Sequence, residues 1–86
     1  MYHNYTQIQE LMKARENFKG NSSEGLKQLE SYNIWSYSTM ILKETEDNIY
    51  FDNRYYSNTT SKLQGYIKRC FNLTDCKERI IYNITK

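Results

Sequence analysis

The sequence has no proline, three glycines, two cysteines and a single histidine. A catalytic triad needs a histidine beside its nucleophile, and a zinc site needs several cysteines or histidines. The one histidine, His3, lies near the N-terminus, where chains commonly fray. The glycines are isolated from one another, which excludes a glycine-rich phosphate-binding loop. We therefore expect a protein that is not an enzyme and that binds no metal or other cofactor.

Long apolar segments are missing as well. No segment reaches the roughly 18 apolar residues that a membrane span needs. Residues 1–20 show no apolar run of the kind found in signal peptides. We therefore expect a cytoplasmic protein without a membrane partner. Cys70 and Cys76 are then expected to be free thiols, because disulfides are rare in reducing compartments.

Tyrosine is abundant, with nine tyrosines against three phenylalanines and one tryptophan in 86 residues. The hydrophobic fraction of 38% is enough for the core of a single small domain over residues 1–86. Tyrosine is common at protein interfaces, because its ring is apolar and its hydroxyl can form hydrogen bonds. An AT-rich coding sequence would favour tyrosine too, and this alternative stays open. The net charge of +2 favours neither a protein nor a nucleic-acid partner.

Two helices are predicted in the N-terminal part of the chain. Apolar residues recur at three- and four-residue steps over residues 5–18, with Thr6 and Gln9 placed to form a capping box. A shorter second helix is predicted to begin near Ser23, although Gly25 disfavours it. The apolar positions of this second helix would be Leu26, Leu29 and Tyr32.

The period changes to two over residues 33–45 and again over residues 49–56. Alternation of apolar and polar residues is typical of strands, and the polar residues 44–48 favour a turn between the two segments. We therefore predict an antiparallel β-hairpin here.

The C-terminal part is predicted to contain a helix and a strand. Helix-capping residues at 57–61 precede apolar residues at helical spacing up to Phe71. Residues 79–85 alternate and favour a third strand, with a helix capped by Asp75 or Glu78 as the alternative. The expected fold class is α+β: N-terminal helices, an antiparallel hairpin, a helix and a third strand, with the helices on one face of the sheet.

Two sets of residues are candidates for binding. The start of the third helix offers hydroxyls and free backbone amides beside basic side chains, an arrangement that can hold a phosphate or carboxylate. The alternative is that Ser57 or Asn58 simply caps the helix. The candidates for an anion or a nucleic acid are Arg54, Ser57, Thr59, Thr60, Lys62, Lys68 and Arg69. Aromatic anchors dominate many protein interfaces, and the candidates for a protein partner are Trp35, Tyr37, Tyr50, Tyr55 and Tyr56.

Two short motifs stand out, Ser36-Tyr37-Ser38-Thr39 and Tyr55-Tyr56-Ser57-Asn58-Thr59-Thr60-Ser61-Lys62. Together they resemble a family of short, uncharacterised proteins encoded by phages and mobile elements. That family carries a Ser-Tyr-x-Thr strand followed by Tyr-Ser-x-Thr-Thr-Ser and a basic residue. The likeness covers residues 35–71. Leu63 stands where that family often has a histidine, so no role of that histidine can be transferred.

The resemblance implies an origin in a phage or mobile element and no particular activity. Small phage proteins without catalytic residues commonly bind a host machine and block it, as anti-CRISPR proteins do. The first hypothesis is therefore an inhibitor that binds a host protein or ribonucleoprotein complex in the host cytoplasm. The alternatives are a small nucleic-acid-binding accessory protein and a homodimeric structural or assembly protein joined through a strand edge.

Overall fold

A computed structural model of the chain describes residues 2–46, 48–52, 54–71, 73 and 80–81. Its elements are α1 (Tyr5–Lys13), β1 (Phe18–Lys19), β2 (Ser23–Lys27), β3 (Ser31–Ser36), β4 (Thr39–Thr45), β5 (Ile49–Phe51), α2 (Asn58–Cys70) and β6 (Ile80–Ile81). The strands form one sheet in the order β1-β2-β3-β4-β5-β6. Strands β1 to β5 are antiparallel neighbours, and β6 pairs with β5 in parallel. The chain is therefore an α+β protein, as its sequence predicts.

Helix α1 forms where a helix is predicted, but it is shorter. Asn4 is its N-cap, and a capping box joins Asn4 to Gln7 with hydrogen bonds of 2.8 and 2.9 Å. The helix ends at Lys13, and Arg15 follows with a φ of 56°. The prediction of a helix up to residue 18 is wrong, because Phe18 enters the sheet and is buried there.

The segment predicted as a second N-terminal helix forms β2, a turn and the start of β3 instead. The helical spacing of its apolar residues is coincidental. Leu26 and Tyr32 lie on strands, whereas Leu29 is exposed in the turn between them. Gly25 has a packing role in β2, since a Cβ atom there would lie 2.2 Å from Cε2 of Phe18. The Phe18 ring therefore occupies the space that a larger residue would need.

The segment predicted as one strand, residues 33–45, is two strands joined by a tight turn at Tyr37 and Ser38. The sequence hides this turn, because neither residue is one of the glycines, asparagines or aspartates that favour tight hairpins. A β-bulge leaves Ile41 as an extra residue on β4. Alternation predicts opposite faces for Ile41 and Leu42, but both side chains are fully buried.

The predicted antiparallel hairpin is confirmed for β4 and β5, which pair from Leu42 with Phe51 to Glu44 with Ile49. Strand β5 ends at Phe51, so the prediction of a strand up to residue 56 is too long. The chain then leaves the sheet through a loop that leads to α2.

Helix α2 is confirmed, and it begins among the predicted capping residues. Ser57 is its N-cap, and Ser57 Oγ accepts a hydrogen bond of 3.2 Å from the N–H of Thr60. Ile80 and Ile81 form β6, which confirms a strand at these two residues. The rest of the predicted third strand, residues 79 and 82–85, lies outside the described residues. Asp75 and Glu78, the predicted caps of the alternative helix, lie outside them as well.

Both helices pack on one face of the sheet. The ring of Tyr32 on β3 stacks on Phe71 at the end of α2, with 6.2 Å between centroids. Arg15, which follows α1, donates two hydrogen bonds of 2.7 Å to Glu44 on β4. The core between the layers contains Ile8, Met12, Phe18, Tyr32, Ile34, Ile41, Leu42, Ile49, Phe51, Leu63, Ile67, Phe71 and Leu73. Among the described residues, no helix has the length and apolar character that crossing a membrane requires.

Candidate functional site

A groove of about 370 Å³ opens where the N-termini of α1 and α2 meet two turns of the sheet. We call it the Tyr37 groove, and its lining residues are His3, Asn4, Tyr5, Ile8, Asn21, Ser22, Ser23, Tyr37 and Thr59. None of these described residues is a lysine, arginine, aspartate or glutamate. Charged residues are depleted in the cores of protein interfaces, and tyrosine, serine and asparagine dominate antibody binding loops. The Tyr37 groove thus combines an exposed aromatic ring with uncharged hydroxyl and amide groups.

Tyr37 has a φ of 57° at the first position of the two-residue turn between β3 and β4. Hairpin turns favour glycine at such a position, because a left-handed backbone costs an L residue about 1–2 kcal/mol. The N–H of Tyr37 donates a hydrogen bond of 2.7 Å to the carbonyl of Ser22, which joins this turn to the one between β1 and β2. Tyr37 gains little burial in return, since it is 66% exposed. The turn therefore presents a large aromatic side chain at a conformational cost.

A buried pair of hydroxyls holds the Tyr37 turn against α2. Ser36 Oγ lies 2.8 Å from Thr60 Oγ1, and each residue is 2% exposed. The hydroxyl of Ser57 also donates to Thr60 Oγ1, at 3.3 Å. Ser36 belongs to the first sequence motif, and Ser57 and Thr60 belong to the second. The two motifs therefore meet in the fold and set the position of Tyr37 relative to Thr59 across the groove.

The segment before α1 forms another wall of the groove. The N–H of His3 donates to the carbonyl of Lys19 at 2.7 Å, and the N–H of Lys19 donates to His3 Nδ1 at 3.1 Å. These bonds attach His3 to β1, although its sequence position suggests a frayed end. Gly20 follows at the corner, where its N–H donates to the carbonyl of Ser23 at 2.7 Å. A Cβ atom on Gly20 would lie 2.8 Å from Cδ1 of Ile8, so only glycine fits without rearrangement.

Asp52 organises the connection from β5 to α2, and its side chain has no exposed surface. Arg54 donates to both of its carboxylate oxygens, at 3.0 and 2.8 Å, and the Tyr56 hydroxyl donates to Oδ2. Burial by itself would raise the pKa of Asp52, but the hydrogen bonds from Arg54 and Tyr56 outweigh it and lower the pKa to about 2. The Gln64 amide donates to the carbonyls of Asp52 and Arg54, at 2.7 and 3.0 Å. This loop is thus held by contacts within the protein.

The residues predicted to bind a protein partner do not form one patch. Tyr37 lines the groove, and Tyr55 is 71% exposed just before α2. Tyr56 is also exposed, but its hydroxyl is bound to the Asp52 carboxylate. Trp35 and Tyr50 are half-buried on the sheet face opposite the helices. Of the predicted set, the structure therefore brings only Tyr37 into the groove.

Most of the residues predicted for an anion site at the start of α2 have structural contacts. Ser57 caps the helix, as in the alternative interpretation of the sequence. Thr60 is buried against Ser36, and Arg54 is paired with Asp52. Thr59 lines the Tyr37 groove, whose described lining residues include no lysine or arginine.

The remaining basic residues of this set lie farther along α2. Lys62 and Arg69 are both exposed, about two helical turns apart on the same side. Lys68 is half-buried and points about 100° away from Arg69 around the helix axis. Lys62 Nζ lies 5.0 Å from the ring centroid of Tyr5, and Arg69 Cζ lies 5.1 Å from that of Tyr66. The predicted set is thus divided between the helix cap and the outer surface of α2.

Sequence reasoning missed most of the groove lining. His3, Asn4, Asn21 and Ser22 belong to no motif, and their proximity depends on the pairing of β1 with β2. That pairing was hidden by the helical spacing of apolar residues in the same segment.

A larger hollow of about 870 Å³ lies at the other end of the sheet, beside the turn between β2 and β3. It is lined by Gln28, Leu29, Glu30, Ser31, Lys43, Thr45 and Glu46. Leu29 is 97% exposed there, and the charged side chains are of both signs. The nearby Asn33 Oδ1 is buried without a hydrogen-bond partner among the described residues. The described lining residues of this hollow are of mixed charge and polarity, and they favour no single class of ligand.

The comparisons with known proteins give the family of the chain and no activity. Comparison with curated proteins and with solved structures found no match. One family model matches residues 6–84, which include nearly the whole fold. The chain therefore belongs to this family, a family of unknown function (DUF8033).

Proposed function

We propose that the protein is not an enzyme and acts by binding a protein partner at the Tyr37 groove. The observation that carries this proposal is the conformation of Tyr37, which is exposed and has a φ of 57° where a hairpin turn favours glycine. Backbone strain of this kind is concentrated at functional positions, where the side chain is needed despite its cost. Glycine would relax the turn but would remove the aromatic anchor.

The surroundings of Tyr37 favour a protein over a free anion. The described lining offers hydroxyls, amides and rings without a lysine or arginine. Two further tyrosines are exposed close to the helix N-termini in the sequence: Tyr2 is 57% exposed beside His3, and Tyr55 is 71% exposed just before α2. Rigid aromatic anchors around adaptable polar groups are typical of surfaces that bind proteins. The groove volume of about 370 Å³ suits a protruding side chain or short loop of the partner.

The partner that we propose is part of a host defence complex, which the protein inhibits by covering one of its surfaces, as anti-CRISPR proteins do. The support is the resemblance of the two sequence motifs to those of phage and mobile-element proteins. A second support is the contact between Ser36 and Thr60, because it gives the two motifs a common role in positioning Tyr37. The protein would then act in the host cytoplasm.

Affinity capture from a host lysate tests this proposal. Wild-type protein should retain one protein or ribonucleoprotein complex in a fixed ratio, and Tyr37→Gly should lower its recovery about tenfold or more. Leu29→Ala is the matched control, because Leu29 is 97% exposed at the opposite end of the sheet. Equal losses for Tyr37→Gly and Leu29→Ala would refute the groove as the binding surface. Recovery of only further copies of the chain would establish the homodimer instead.

A further inference from the structure

Three basic side chains along the junction of α1 and α2 have no ion pair with a described acidic residue. They are Lys13, Lys62 and Arg69, and all three are exposed. By contrast, Arg15 and Arg54 are each held by a buried or half-buried carboxylate. We call the first group the basic seam.

Aromatic rings connect two members of the basic seam. Lys62 Nζ lies 5.0 Å from the centroid of the Tyr5 ring, and the rings of Tyr5 and Tyr66 are 5.1 Å apart between centroids. Arg69 Cζ lies 5.1 Å from the centroid of Tyr66. Cation–π contacts of this kind favour one position for each cation. The charges of Lys62 and Arg69 on α2 are therefore preorganised along the junction with α1.

The third cation lies near the same junction. Cys70, at the end of α2, contacts the carbonyl of Gln9 on α1 at 3.8 Å. Burial raises the pKa of the Cys70 thiol, while the charges of Lys13 and Arg69 both act to lower it. Lys13 lies one helical turn beyond Gln9 on α1, and Arg69 directly precedes Cys70 on α2, which places both cations near this contact. The basic seam thus extends from Lys62 through Arg69 to Lys13.

Few acidic residues oppose this charge. The sequence has no aspartate or glutamate between Asp52 and Asp75, so α2 carries none. On α1 the only acidic residue is Glu10, whose charge also acts on the Cys70 thiol. The positive potential along the seam therefore remains largely uncompensated by the helices that form it.

We infer that the basic seam binds the phosphate backbone of a nucleic acid, as a second surface beside the Tyr37 groove. A protein interface needs exposed aromatic or apolar anchors, whereas Tyr5 and Tyr66 are half-buried, pack on each other and lie beneath the two cations. Charge is then the main attraction that the seam offers, and phosphate contacts of this type do not depend on base sequence. The inference does not rest on the groove or its partner.

Fluorescence anisotropy with labelled single-stranded RNA and DNA and with a duplex, over a range of salt, tests the inference. Wild-type protein should bind at low ionic strength, and its affinity should fall steeply as salt increases. The double variant Lys62→Gln/Arg69→Gln should weaken binding about tenfold or more. The slope of the logarithm of the binding constant against the logarithm of the salt concentration should become shallower by about 2. The matched control Lys27→Gln/Lys43→Gln changes the net charge equally, at exposed positions on the sheet, and should bind like the wild type.

Three results would overturn the inference. They are undetectable binding of every nucleic acid by the wild type at low salt, equal losses in the seam and control variants, and binding of labelled polyglutamate as tight as that of the nucleic acids. The last result would assign the seam to an acidic protein segment. Thermal unfolding of both double variants should stay close to that of the wild type, because all four substituted side chains are exposed and an exposed cation–π contact contributes little to stability.

Discussion

The hydroxyl of Ser36 lies 2.8 Å from that of Thr60, and this buried contact joins the turn that carries Tyr37 to the first turn of α2. A hydroxyl that is buried without a partner costs about 1–3 kcal/mol, so this pair is strongly coupled. The contact explains how two separate segments of the sequence define one wall of a groove.

The coupling of Ser36 and Thr60 can be measured with a double-mutant cycle. Thr60→Val keeps the shape of the side chain but leaves the Ser36 hydroxyl unpaired, and we expect it to lower the free energy of unfolding by about 1–2 kcal/mol. Adding Ser36→Ala should cost less than the sum of the single changes. Urea unfolding of the four proteins provides the values. Strict additivity would show that the two hydroxyls do not interact.

Two glycines should respond in opposite directions to alanine. Gly25→Ala places a methyl group 2.2 Å from Cε2 of the buried Phe18, so we expect a loss of about 2 kcal/mol or more. Gly65→Ala adds a methyl group with no atom within 4 Å, inside α2, and should stabilise the protein by about 0.5–1 kcal/mol. Thermal or urea unfolding distinguishes the two. A gain from Gly25→Ala would contradict the packing of Phe18 against β2.

The stability of the protein should decrease in acid because of Asp52. Its pKa is lowered from 3.8 to about 2 in the folded protein, so the carboxylate stabilises the fold above pH 3.8 and loses this effect as the pH falls toward 2. The contribution is about 1–2 kcal/mol, because solvent around Arg54 screens part of the attraction. Asp52→Asn should lose this amount at pH 7 and should show a weaker pH dependence between 4 and 2.

The control for Asp52 is Glu24→Gln. Glu24 Oε1 lies 3.9 Å from Lys19 Nζ in an exposed ion pair. Such a pair contributes less than about 1 kcal/mol to the free energy of unfolding. Urea unfolding at pH 7 and across pH 4 to 2 should therefore show a clear change in the free energy of unfolding and in its pH dependence for Asp52→Asn, and little change for Glu24→Gln. Parallel pH profiles for the wild type and Asp52→Asn would be incompatible with the Asp52 network.

The strain at Tyr37 predicts an unusual order of stabilities. Alanine normally stabilises a protein relative to glycine, because glycine has more freedom in the unfolded chain. At residue 37 the φ of 57° reverses this order, and we expect Tyr37→Gly to be more stable than Tyr37→Ala by about 1 kcal/mol. Chemical denaturation of the two variants is the measurement. If the alanine variant were the more stable, the backbone would not be strained.

The sequence predicts α2 well because several local signals agree. Ser57 is a good N-cap, and Leu63, Ile67 and Phe71 recur at steps of four. The hairpin of β4 and β5 is also predictable, since a polar turn separates two alternating segments. These elements depend on residues close together in the chain.

The β-strands at the start of the sheet were not predictable in the same way. Judged by its neighbours in the sequence, Gly25 is a residue that weakens a helix. In the structure it makes room for the ring of Phe18 on the paired strand. The turn at Tyr37 breaks the local preference for glycine, so no turn signal marks it. The groove combines both misassigned regions, which is why the sequence indicates Tyr37 and Thr59 but not their neighbours.

Site-specific photo-crosslinking tests the central claim most directly, with a benzophenone amino acid placed at residue 37 in one protein and at residue 29 in another. Both positions are exposed, at opposite ends of the sheet. If the Tyr37 groove binds a protein partner, irradiation in host lysate should join one protein to residue 37, and an excess of unlabelled wild type should suppress the product. The same product from residue 29, or no competable product from residue 37, would contradict the claim.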